Sequence, residues 1–150
     1  MQTTLSGHHV LMRAGTLRLL LPQASVGAAE YRESEPNPTA HPRIFEMPAG
    51  EGLRNVIFPS SRLRALDRVD SPRFVLTQLR VTGADDLWFA WDEVRVFINA
   101  AFEAHDLPPA LLGSEELPAT RYCELDDELV LCADASAVVA YLFAGLEVTE

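Results

Sequence analysis

Lysine is missing altogether: all 12 basic residues are arginine, set against 22 acidic ones, for a formal net charge of −10. A chain so acidic presents no positive field to a phosphate backbone, which argues against nucleic acid as a partner. Long hydrophobic runs are missing too. No stretch approaches the ~18–20 apolar residues that span a bilayer, and the first residues lack a basic region followed by a hydrophobic one. A cytoplasmic protein is expected. Only two cysteines occur. With Asp126-Asp127 as a hairpin turn, Cys123 faces Val130 and meets Cys132 only diagonally, at ~7–8 Å between Cα atoms, so two buried reduced thiols are expected.

Signatures of chemistry are equally scarce. Neither G-x-G-x-x-G nor a Walker pattern is present, and no G-x-S-x-G elbow surrounds a serine. His8 and His9 are adjacent and would face opposite sides of a strand, while His41 and His105 lie far away, so no ligand spacing joins them and neither a metal nor a cofactor is expected. Carboxylates cluster at Asp85-Asp86, Asp92-Glu93, Glu115-Glu116 and Asp126-Asp127-Glu128. All but Asp92-Glu93 fall in turns or loops, where water keeps them ordinary. Asp92, at the end of a strand that carries two tryptophans, is the one to follow. Nothing points to an enzyme.

What remains is an ordinary globular composition, 48% apolar and 23% charged over 150 residues, enough for one domain spanning 1–150. Met1 to Gly7 is polar and expected to fray. Val10–Met12 and Leu17–Leu21 form a hairpin closed by Pro22, followed by a helical turn at Gln23–Val26 and an extended piece at Ala28–Arg32. Glu33 to Gly52, broken by prolines and glycines, reads as a loop with a weak strand at Phe45–Gly50. Arg73–Val81 alternates, with Val75, Thr77, Leu79 and Val81 as the better core face. It turns through Gly83–Asp86 into Leu87–Trp91, bulky on both faces and therefore sandwiched. Trp88 and Trp91 point to opposite faces. Ala100–His105 reads as a short helix, leading to a proline-bounded segment with Leu107, Leu111 and Leu112. Tyr122–Leu125 and Glu128–Ala133 form a last hairpin, and Ser136–Phe143 a terminal helix with Val138, Val139 and Leu142 inward.

The most specific stretch is Leu53 to Arg64, LRNVIFPSSRLR: a β-favouring run stopped by Pro59, then Ser60 and Ser61 as caps of a helical turn carrying Leu63 and Leu66. Leu53, Arg54, Pro59, Leu63 and Arg64 match, without a gap, the NLRG-x-V-x-P-V-x-D-L-R signature of the CheW-like chemotaxis coupling proteins, which this chain resembles. Asn55 replaces the glycine of that signature and Arg62 its aspartate. The resemblance extends in element order from Val10 to Leu142, and Val26 falls where the family has a partner-facing valine.

The resemblance implies a mainly β fold of two small five-stranded SH3-like barrels packed side by side with short connecting helices. It also implies a non-catalytic adaptor joining a chemoreceptor's cytoplasmic tip to the regulatory domain of a histidine kinase. Val26, Leu53, Arg54 and Asn55 are the expected partner-binding residues. Arg54 is expected at a turn, facing the joint between the barrels, where its reversal to glutamate changes stability by no more than about 0.5 kcal/mol, as for a surface residue. An alternative is a β-barrel sensing module holding a small molecule or peptide between Trp88, Phe89 and nearby aliphatics.

Overall fold

A computed structural model describes residues 2–49, 52–69, 71–83, 87–108 and 119–146. Asp85-Asp86, Leu111, Leu112 and Glu115-Glu116 therefore lie outside the described residues. The described chain is mainly β, with strands β1 (Gln2–Ala14), β2 (Leu17–Pro22), β3 (Val26–Glu33), β4 (Asn37–Pro38), β5 (Phe45–Ala49), β6 (Gly52–Ile57), β7 (Arg73–Leu79), β8 (Leu87–Trp91), β9 (Glu93–Asp106), β10 (Ala119–Leu125) and β11 (Glu128–Ala133), and one terminal helix, α1 (Ala135–Leu146). A single 3-10 turn, Gln23–Ser25, links β2 to β3. Strands β1-β2-β11-β10-β9 close a barrel, and β3-β7-β8-β6-β5-β4 form a six-stranded sheet. One closed five-stranded barrel is thus present, whereas the second unit pairs as a sheet, and the several short helices expected reduce to one turn and one helix among the described residues.

Local turn chemistry accounts for two hairpins. Asp126 and Asp127 both take positive φ, +53° and +64°, as a two-residue turn twisted with its strands requires, and Leu125 pairs with Glu128. Cys123 pairs with Val130 and Cys132 with Arg121, the diagonal arrangement expected, and both thiols are free. Gly15 turns β1 into β2 at φ +60°. A Cβ there would collide with the Ser61 hydroxyl, so space, more than the positive φ, favours glycine at this position.

Other expectations give way to long-range pairing. Residues Gln2 to Gly7 are not frayed; they pair with His105 to Ala100 of β9. The same ladder makes Ala100–His105 a strand. Its alternation decides this, with Phe102 and Ala104 buried and Ala101 and Glu103 exposed. Asn99 at φ +51° and Gly7 at φ +109° flank the register shift that bends this pair. The supposed loop after Glu33 contains β4 and β5, with β5 paired along its length to β6.

Three cores result. Inside the barrel lie Leu11, Leu20, Phe102, Cys123 and Val130. The opposite faces of β1 and β2, carrying Val10, Met12, Leu19 and Leu21, pack with Ile57, Leu79, Phe89 and Trp91 of the second sheet and with Val138, Val139 and Leu142 of α1. The far face of the second sheet holds Phe45, Met47, Val56, Phe58, Phe74, Leu76, Trp88 and Ala90. Strand β7 is therefore buried on both faces, and Phe74 and Leu76 are core residues as fully as Thr77 and Leu79. Trp88 and Trp91 do point oppositely, and each fills a core. The indole N–H of Trp91 donates to Thr77 Oγ1 at 2.8 Å, satisfying two polar groups within the shared core.

Candidate functional site

Strand β6 sorts the signature residues by parity. Leu53 and Asn55 project from one face and both are exposed, Leu53 to 63%. Arg54 projects from the other, between Met47 of β5, its partner in register, and the Trp88 ring. Its guanidinium carbon lies 4.0 Å from the Trp88 ring centroid, and its Nη1 donates to Glu30 Oε2 of β3 at 2.6 Å. Arg32 donates to the same carboxylate oxygen at 3.1 Å. Glu30 thus collects two guanidinium groups over the rim of the far core.

This contact also reports the shape of the sheet. Strands β3 and β6 are three places apart in the order β3-β7-β8-β6, about 14 Å if the sheet were flat. Their side chains bond directly, so the sheet curls around the far core and brings the edge strand β3 toward β6 over Trp88.

Burial alone would raise the Glu30 pKa. Hydrogen bonds from Arg32 and Arg54, with their charges, outweigh that effect and hold it below the ordinary glutamate value. Arg54 side-chain exposure is 25% and that of Glu30 is 36%, so the pair is a partly solvated rim contact.

The four expected partner residues are consequently dispersed. Val26 is buried, 7% exposed, paired with Leu79 in the core between the units. Arg54 is held by Glu30 and Trp88, and does not project freely from a turn. Leu53 and Asn55 alone share an open face. Asn55 keeps negative φ in an extended register opposite Glu46 and Leu87, so β6 has no conformational need for the glycine of the signature. Glu30, which organises the site, is not visible from sequence; the only trace is its alternation with Arg32 on one side of an extended segment.

The second half of the signature is a tight hairpin, not a helical turn. Ser60 N–H donates to the Arg64 carbonyl at 2.8 Å, Leu63 N–H donates to the Ser60 carbonyl at 2.9 Å, and Pro59 bridges to Ala65. Leu63 takes φ +56° while buried, and Ser60 Oγ accepts from the N–H groups of Arg62 and Arg64. These local side-chain bonds compete with a helix. Ser61 Oγ accepts the Thr16 N–H at 3.2 Å, and Asp92 Oδ2 accepts the Gly15 N–H at 2.7 Å, so both clasp the β1–β2 turn to the second sheet. Asp92 is a structural acceptor with Arg13 beside it at 3.6 Å.

Among the described residues no three His, Cys, Asp or Glu side chains gather as metal ligands. Cys132 hydrogen-bonds to Cys123, which lowers the Cys123 pKa, while the same contact raises that of Cys132. Cys132 is half-buried, less sealed than expected. Phe89 and Trp88 are buried on opposite faces of β8, so no single groove brings them together. No helix is long and apolar enough to cross a membrane among the described residues.

This architecture is similar to a solved structure, the scaffolding protein TtCheW from Thermoanaerobacter tengcongensis, with a TM-score of 0.58 over 87% of this chain and 90% of that one, at 13% identity. No family model matches the sequence. No curated protein matches it either. The likeness is one of fold: a CheW-like arrangement of strands at low sequence identity.

Proposed function

We propose that this protein is a non-catalytic adaptor of a bacterial chemotaxis-type signalling pathway, acting in the cytoplasm and linking a chemoreceptor tip to a histidine kinase regulatory domain. The observation that carries the reading is the conjunction of a CheW-like fold over 87% of the chain with the Leu53–Arg64 signature at a strand and hairpin of that fold. In this reading the curled six-stranded sheet plays the part of the second barrel.

An adaptor needs a stiff scaffold and exposed apolar contacts rimmed by charge. Leu53 and Asn55 supply an open face on β6, and Arg54 and Glu30 a charged rim on the other side. Val26 contributes by supporting the joint from within. The rival sensing module loses its basis in the separation of Trp88 from Phe89.

The test is a pull-down of a histidine-kinase regulatory domain and a receptor tip from the same organism, with wild-type protein and with Leu53→Asp. An exposed substitution on one face leaves the fold intact, and loss of a hot-spot contact costs about 2 kcal/mol, roughly thirtyfold in affinity. Failure of the wild type to bind either partner overturns the adaptor reading. Equal binding by both proteins removes Leu53 from the interface.

A further inference from the structure

An open cavity of about 410 Å³ lies where the barrel meets the start of α1, away from Arg54 and the signature hairpin. Its walls are apolar, with Leu5 and Leu20 from the barrel and Pro22 beside them. Three polar features converge on it. Arg121 lines it from β10, Ala137 brings the first turn of α1, and His9 borders it from β1. His9 is only 6% exposed, and its Nδ1 is sealed with no hydrogen-bond partner.

With Nδ1 sealed, Nε2 is the ring nitrogen left to meet a guest, and an imidazole N–H there would be a donor. The N-terminus of α1 adds unpaired N–H groups and a partial positive charge; Val138 N–H is taken by the Asp134 carbonyl, one turn in. Arg121 stands opposite Asp106 in the ladder, but five guanidinium donors are not exhausted by one neighbour. Asp134 also lines the cavity, with its carboxylate accepting the Ser136 hydroxyl at 3.2 Å. One carboxylate at the rim disfavours a doubly charged guest.

We propose that this cavity is a binding site for a small aliphatic monocarboxylate, its carboxylate held by Arg121, the His9 ring N–H and the first turn of α1, and its short chain against Leu5, Leu20 and Pro22. The site is independent of the adaptor reading.

Hexanoate is the probe, with hexanol, hexylamine and inorganic phosphate as comparisons, followed by amide NMR of the full chain at millimolar ligand. Hexanoate is expected to shift the Ala133 and Ala137 amides at concentrations at least tenfold below those the other three need. Arg121→Gln, at an exposed position that preserves the fold, weakens hexanoate by about tenfold, the worth of one charge-assisted bond. His9→Phe tests the donor where it folds, with weakened binding expected. Equal binding of hexanol or hexylamine, unchanged affinity in Arg121→Gln or in folded His9→Phe, shifts confined to other regions, or no response to hexanoate at 50-fold excess would each overturn the assignment.

Discussion

Removing Glu30 and Arg54 singly and together measures what closes the curled sheet. Arg54→Ala loses an ion pair at 2.6 Å and a guanidinium stacked 4.0 Å above Trp88. The pair is partly solvated, so it contributes at the upper part of the surface range, about 0.5–1 kcal/mol. Stacking at a largely buried indole adds about 1 kcal/mol. Arg54→Ala is therefore expected to cost about 1.5–2 kcal/mol and Glu30→Gln about 0.5–1 kcal/mol, with a coupling of about 0.5–1 kcal/mol in the double mutant. Urea unfolding with an unchanged m-value is the assay, since guanidinium salt would screen the pair. Arg54→Glu faces Glu30 directly and costs more than Arg54→Ala, unlike the neutral surface reversal its sequence context suggested. Coupling indistinguishable from zero would show that the contact does not hold β3 and β6 together.

Acid titration of stability gives an independent view of Glu30. Its folded pKa lies below the unfolded value, so its contribution is fully present above the unfolded pKa, about 4.3, and lost as pH falls through the folded one; Glu30→Gln should flatten that part of the profile in urea midpoints. Gly15→Ala forces a Cβ against Ser61 at positive φ and is expected to lower the thermal midpoint by several degrees, about 1–3 kcal/mol, in scanning calorimetry, with partial recovery in Gly15→Ala/Ser61→Gly. Thr77→Val keeps shape but orphans the Trp91 indole N–H, at a cost of about 1–3 kcal/mol in urea unfolding. Thiol titration should find two free thiols after unfolding.

Elements decided by neighbours in sequence were legible and those decided by distant partners were not. Asp126-Asp127 announced its turn because acidic residues there tolerate positive φ, and Leu87–Trp91 announced a sandwiched strand by having no polar face. Ala100–His105 offered alanines that suit a helix, and only the ladder to Gln2–Gly7, nearly a hundred residues earlier, makes it a strand. Prolines at 38 and 48 read as breakers yet sit within β4 and β5. At the site, the signature located the strand β6 and its stop at Pro59, but the helical turn read after it is a hairpin. The signature could not say that Arg54 would be turned toward Glu30, because that depends on how far the sheet curls.

Strands β1 and β2 give one face to the barrel interior and the other to the core shared with the second sheet and α1. A wall common to two rooms cannot be removed from one of them alone. Cutting the chain between the two units would strip whichever fragment lacks β1 and β2 of half its lining. Heat or denaturant that loosens either side exposes the same leucines to both. Melting is consequently expected to be a single cooperative event in calorimetry, with amide protons of Met12, Leu19 and Leu21 exchanging only through global opening. Such a partition transmits displacement from one core to the other without a flexible joint.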